Sequence, residues 1–169
     1  MMTYLGAAPA IVLGLWHLTE TQFAWLFVPI IAGFVLGAWL SGRLAGHITG
    51  RRQVAAGFAV SLGSSALVLA LHATIHPLPI VVQEVLIGID AAGVQLVMPI
   101  LVLSMLDLFP MSRGSAASVQ SCVMLLTSAG CIGLAVPALA GSLALLAAGS
   151  LACTLVGCAL WCATLRIGR

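Results

Sequence analysis

The chain has 169 residues, of which 62% are hydrophobic and only 6% charged, and its mean hydropathy is +1.23. A soluble domain carries about 25% charged residues, so this composition excludes an ordinary water-solvated domain and predicts an integral membrane protein. A formal net charge of +2 is far too small for the basic surface of a nucleic-acid binder.

The first apolar segment, about residues 2–15, is short for a crossing and ends before His17 and Glu20. A signal peptide competes here, since Ala8-Pro9-Ala10 has the small residues of a cleavage site. No basic stretch precedes it, so the segment reads as a membrane helix that starts late, as if cut from a longer chain. The second segment covers about 22–44, and Thr19 and Gln22 have capping-box spacing near its start. Gly33-xxx-Gly37 and Gly42-xxx-Gly46 have the small-xxx-small spacing that lets helix backbones approach closely in lipid. The third segment covers about 53–73. His72 and His76 follow at i,i+4 spacing, and Pro77 makes them read as solvated loop histidines; His47 falls in a basic connection.

The fourth segment, about 78–106, is the polar one. Pro77 and Pro79 introduce it, and Gln83, Glu84, Asp90 and Gln95 interrupt its apolar run. At 100° per residue Gln83 and Asp90 share one face, and Glu84 and Gln95 share a second roughly 100–120° away. An acid at the centre of a membrane helix costs roughly 2.5–3.5 kcal/mol and normally faces a bundle interior or a wet cavity. Asp90 therefore has two readings: a proton or substrate-cation site, or a structural partner for a polar group on a neighbouring helix. Glu84 lies nearer the outer surface and is expected to be solvated. Pro99 removes one backbone hydrogen bond and is expected to kink the helix, while Gly88 and Gly93 flank Asp90 and permit close approach.

From Gly114 to Leu165 there is no Asp, Glu, Lys or Arg. As one helix this run would be roughly 78 Å long, far beyond a single crossing. It reads as a hairpin of two spans, about 115–138 and 142–165, broken at Pro137, Gly141 and Ser142. All five cysteines fall within it and read as small apolar residues rather than disulfides or metal ligands.

The arginines test the count. Arg43, Arg51 and Arg52 lie at the second-to-third connection, Arg113 at the fourth-to-fifth, and Arg166 and Arg169 after the sixth segment. Six crossings put all of them on one side, which the bias of basic residues makes cytoplasmic. The expectation is a multi-pass protein of the inner (plasma) membrane, an all-α bundle of six transmembrane helices in a single domain. No nucleophile–base pair, phosphate-binding glycine loop or zinc-protease helix is seen in the sequence, so neither an enzyme nor a cofactor or metal site is expected.

The stretch Gly37-Ala-Trp-Leu-Ser-Gly-Arg43-Leu-Ala-Gly-His-Ile-Thr-Gly50-Arg51-Arg52 resembles the cytoplasmic-loop signature of the major facilitator superfamily, in the weaker form that follows the eighth helix. The family's usual acidic residue has no counterpart; Ser41 and Gly42 occupy that neighbourhood. Tyr4-Leu-Gly-Ala-Ala-Pro9, Leu18-Thr19, Phe23 and Phe27 are similar to the seventh and eighth helices of the Bcr/CflA drug-resistance subfamily. Pro110-x-x-Arg113-Gly-Ser-Ala-Ala-Ser118 is similar to that subfamily's loop after helix ten. Gly130-Cys-Ile-Gly133-Leu-Ala-Val-Pro137 resembles the glycine–proline signature of antiporters, a pattern of helix bending and close packing. The resemblance implies the C-terminal six helices of a twelve-helix transporter that binds substrate between its halves near the midplane. It further implies proton-coupled export of drug-like small organic molecules by alternating access, with a missing N-terminal half or a second copy as partner. Two alternatives stand beside it: a non-transporting membrane assembly or regulatory subunit, and a metabolite or sugar carrier of the same superfamily.

Overall fold

The computed structural model describes residues 6–8, 24–74, 79–139 and 143–167. The described elements are α1 (Ala24–Leu44), α2 (Gly50–Thr74), α3 (Ile80–Leu108), α4 (Arg113–Gly130), a π-helical stretch (Cys131–Ala135), α5 (Val136–Leu139) and α6 (Leu143–Ile167). Among the described residues there is no strand. Five windows are long and apolar enough to cross a membrane: Phe27–Leu44, Gly50–Thr74, Ile80–Leu108, Arg113–Leu134 and Ala144–Arg166. The expected first span, apart from Gly6, Ala7 and Ala8, lies outside the described residues. So do His17, Thr19, Glu20, Gln22, His76, Pro77, Gly141, Ser142 and Arg169.

Local chemistry sets the helix ends. α1 stops where Gly46 takes φ 83°, a left-handed conformation that side chains other than glycine's disfavour. The N–H groups of His47 and Ile48 then donate to the Leu44 carbonyl at 3.0 and 3.2 Å. The Thr49 carbonyl accepts the first bonds of α2, from Arg52 and Gln53 at 2.9 and 3.1 Å. Arg51 and Arg52 thus belong to the first turn of α2. The Pro79 carbonyl starts α3 by accepting from Val82 and Gln83 at 3.1 and 3.3 Å; a proline is tolerated there because a first-turn N–H would lack a partner anyway. α3 runs through Pro99 without ending, and α1 through Pro29. At the next corner Arg113 pairs with Asp107 at 3.3 Å, but both side chains are more than 60% exposed, so the pair contributes about 0–1 kcal/mol.

The fifth expected span is interrupted. Before Pro137 the backbone widens, and the Val136 N–H reaches the Cys131 carbonyl five residues back. Pro137 has no N–H for the Gly133 carbonyl, and its ring would collide with that carbonyl in a regular helix. One π turn is the usual way to absorb such a mismatch.

α3 sits at the centre. α1 packs on one side of it and α2 on another, and α6 packs against α2, with Ala147 in one cluster with Val68 of α2 and Leu86 of α3. Register follows from the contacts. Gly33 and Gly37 of α1 meet Gly88 and Ala92, so α1 runs parallel to α3. Gly57, Ser61 and Ser64 of α2 meet Gly93, Asp90 and Leu86, so α2 runs antiparallel. These approaches are backbone to backbone. A Cβ on Gly33 would land on the Gly88 carbonyl oxygen, and one on Gly57 would lie 2.8 Å from the Gly93 oxygen. Of the two small-xxx-small pairs, only Gly33–Gly37 packs, since nothing lies within 4 Å of a Cβ placed on Gly42 or Gly46. The Phe58 and Trp161 rings stand 5.9 Å apart and join α6 to α2.

The outside of the bundle carries large apolar side chains. Leu125, Leu134 and Leu160 are 70%, 81% and 64% exposed, and α4 buries none of its residues. So much continuous exposed hydrocarbon is unfavourable in water and suits an apolar surrounding. Basic groups stay at the ends: Arg43 lies 4.3 Å over the Trp39 ring, one turn earlier.

A bulkier residue at the closest crossing should be felt strongly. Gly33→Val is expected to lower stability by about 1–3 kcal/mol in a detergent-micelle unfolding titration, through overpacking against Gly88. Gly42→Ala, in open space, should stay within about 0.5 kcal/mol of the parent.

Candidate functional site

Three of the four polar residues expected to carry function on α3 are buried within the bundle. Gln83 is 1% exposed, and Glu84 and Asp90 are each 3% exposed. The fourth, Gln95, is half-buried, and its Cβ would lie 2.9 Å from a Cβ on Gly37. Helical periodicity sorts the four. Asp90, and Gln83 two turns before it, fall on the side that meets α2. Glu84 falls with Gly88, Ala91 and Gln95 on the side that meets α1.

Two expectations are corrected here. Glu84 was expected to be solvated but is buried; distance along the helix from its end does not reveal the neighbours that cover it. His72 was expected in a solvated loop but lies in the last turn of α2, 7% exposed, with its Nδ1 2.9 Å from the Val68 carbonyl. The helix continues to Thr74, one residue past the expected span, and carries His72 in its last turn.

α2 answers α3 with a seam of polar and small side chains. Ser61 donates to the Asp90 carbonyl at 3.2 Å. Ser64 donates to the Leu86 carbonyl. Nearer the arginine-bearing end, Gln53 Nε2 donates to Ser41 Oγ of α1 at 2.6 Å and approaches the Leu96 carbonyl at 3.4 Å. Gln53 therefore ties all three central helices together while being only 1% exposed. Other polar atoms have no such partner among the described residues: both carboxyl oxygens of Glu84, both side-chain polar atoms of Gln83, and His72 Nε2. A buried polar group without a partner is destabilising by about 1–3 kcal/mol, so it invites explanation. A buried carboxyl with both oxygens unpartnered is able to exchange a proton or pair with an entering cation.

The remaining sequence candidates are scattered. Arg43, Arg51 and Arg52 are exposed at the ends of α1 and α2. Gly37 is buried against α3, and a Cβ on Gly50 would lie 3.0 Å from Ile100. Pro99 and Pro137 are exposed, and no described residue lies within 4 Å of a Cβ placed on Gly130 or Gly133. Gly6 meets the π stretch instead, with a Cβ there 2.8 Å from Ile132.

The sequence reasoning missed Ser41, Gln53, Ser61, Ser64 and His72. A signal for the α2 residues was present: Gln53, Gly57, Ser61, Ser64, Val68 and His72 recur three or four residues apart, which marks one face of a helix.

Among the described residues no group of three or more His, Cys, Asp or Glu is placed to hold a metal ion, and the five cysteines are free thiols. Comparison with known protein families, characterised proteins and solved structures finds no match to this chain.

Because Glu84 has no hydrogen-bond partner among the described residues, Glu84→Leu should stabilise the fold by on the order of 1–3 kcal/mol, measured by unfolding in mixed micelles. A comparable loss of stability would show that a further group holds the carboxyl.

Proposed function

We propose that the chain is a multi-pass membrane protein, a six-helix bundle with its arginine-bearing ends cytoplasmic, that takes part in transport across the inner (plasma) membrane. The observation that carries this reading is the burial of Gln83, Glu84 and Asp90 on the central helix of a bundle whose exterior is hydrocarbon. Ionisable residues within membrane segments are expensive and are most often retained for moving protons, ions or substrates.

The specific reading is proton-coupled efflux of drug-like small molecules by a Bcr/CflA-like member of the major facilitator superfamily, with this chain as its C-terminal half. The loop Gly37–Arg52 and the stretch Pro110–Ser118 support it by resemblance. In this reading Asp90 and Glu84 are the candidates for proton or substrate-cation exchange, and Gln83 and Gln95 complete the polar side of α3. Ser61 holds Asp90 in place. The arginines anchor the helix ends at the cytoplasmic surface. Substrate passes between this bundle and a second six-helix unit, either an N-terminal half or a second copy.

A second reading, a membrane assembly or regulatory subunit, is favoured by one observation: α4 buries no residue against the rest of the described chain. A metabolite or sugar carrier of the same superfamily would share the architecture and differ in substrate.

The readings separate on one substitution. In an intact transporter containing this chain, Asp90→Asn is expected to reduce drug-stimulated proton release at least about tenfold, equivalent to about 1.4 kcal/mol, with membrane insertion unchanged. The isolated chain should confer no drug resistance on a sensitive host. Unimpaired proton release in the variant would remove Asp90 from the coupling step, and a stable partner complex with no flux in either form would favour the subunit reading.

A further inference from the structure

A cleft of about 330 Å³ lies beside the polar seam and belongs to none of the roles assigned above. Its floor is Phe58 and Ser61 of α2, its walls include Met98 of α3 and Thr154 and Gly157 of α6, and Cys131 of the π stretch borders it. The volume is in the range of small-molecule sites.

Its chemistry restricts what can enter. No charged residue lines it. Its two hydroxyl groups have already used their protons: Ser61 donates to the Asp90 carbonyl at 3.2 Å and Thr154 to the Ser150 carbonyl at 2.9 Å. A charged or acceptor-rich ligand would be desolvated there without a donor in return. The remaining lining is aliphatic, aromatic and thiol. An uncharged hydrocarbon suits such a site.

The cleft also opens on the apolar exterior. Leu101, which lines it, is 36% exposed, and Cys153, also in the lining, is exposed. Gly157 keeps it open: a Cβ there would meet only the Phe58 ring, at 3.6 Å. We propose that this cleft seats the acyl chain of a bilayer lipid. The proposal rests on the membrane reading above, because only in a bilayer does hydrocarbon surround the mouth of the cleft.

The test uses the full chain in lipid nanodiscs containing a phospholipid with a photoactivatable diazirine on its acyl chain, with labelled residues mapped by mass spectrometry. Labelling of Phe58 and Met98, both only partly exposed, should exceed that of Leu125 and Leu126 on the open face of α4 several-fold. Gly157→Leu and Cys153→Phe, two independent ways of filling the space, should each bring cleft labelling down to the α4 level while α4 labelling and helix content persist. Labelled α4 with an unlabelled cleft would overturn the acyl-chain site and leave the membrane reading standing. The same holds if both filling variants label as the parent does, or if the cleft is labelled only by a free diazirine amphiphile added to unlabelled lipid. Absence of label on both α4 and the cleft would overturn the membrane reading and this proposal with it.

Discussion

Backbone contact between glycines is the constraint from which the rest of the bundle follows. Gly33 rests on the Gly88 carbonyl, and Gly57 and Gly93 face one another across α2 and α3. Side chains between helices normally keep their axes 8–10 Å apart; removing Cβ at these crossings lets α1 and α2 close on α3 from two sides. In a hydrocarbon surrounding, where burial of apolar surface offers little drive for association, such packing and the hydrogen bonds it permits are what hold helices together. Gln83, Glu84 and Asp90 of α3 are consequently buried against protein.

That enclosure explains the placement of the hydroxyl and amide groups. Carbonyls of α3 at Leu86, Asp90 and Leu96 receive donors from Ser64, Ser61 and Gln53. Short side chains suffice because the backbones are already close. Gln53 reaches further, to Ser41, and fixes α1 and α2 relative to each other at the arginine-bearing end. Toward the other end the pattern changes. Glu84, Gln83 and His72 are buried but keep unpartnered atoms among the described residues. One end of the central layer is thus a hydrogen-bonded network, and the other holds buried polar groups without partners among the described residues. Stability is commonly given up in this way where activity requires it, which is consistent with the proposed transport role.

Much of the helical layout was legible in the sequence, because runs of apolar residues interrupted by Gly, Pro and Arg mark spans and their ends directly. The end of the second span near Leu44, the start after Pro79 and the polar character of the fourth span were all readable in this way. What could not be read was which residues become neighbours. Gly33-xxx-Gly37 and Gly42-xxx-Gly46 look alike in sequence, yet only the first meets another helix. Glu84 looked solvated because its covering neighbours are distant in sequence. His72 looked like a loop residue because proline marks a helix end only to within a turn. The seam from Gln53 to His72 was visible as a period but was masked by serine and glycine, which are common in apolar helices for other reasons. The widened turn at Cys131–Ala135 has the proline as its signal, though where the extra residue is absorbed depends on the helix geometry before it.

The central claim, that α2 and α3 meet backbone to backbone at the level of the buried acid, can be tested directly by filling the crossing. A Cβ on Gly93 would lie 2.6 Å from Ser61 Oγ and 2.9 Å from the Gly57 carbonyl oxygen. Gly93→Val should therefore lower stability by about 1–3 kcal/mol in a mixed-micelle unfolding titration, while Gly63→Val on α2, where no described atom lies within 4 Å of an added Cβ, should change it by about 0.5 kcal/mol or less. Equal effects of the two substitutions would contradict the account.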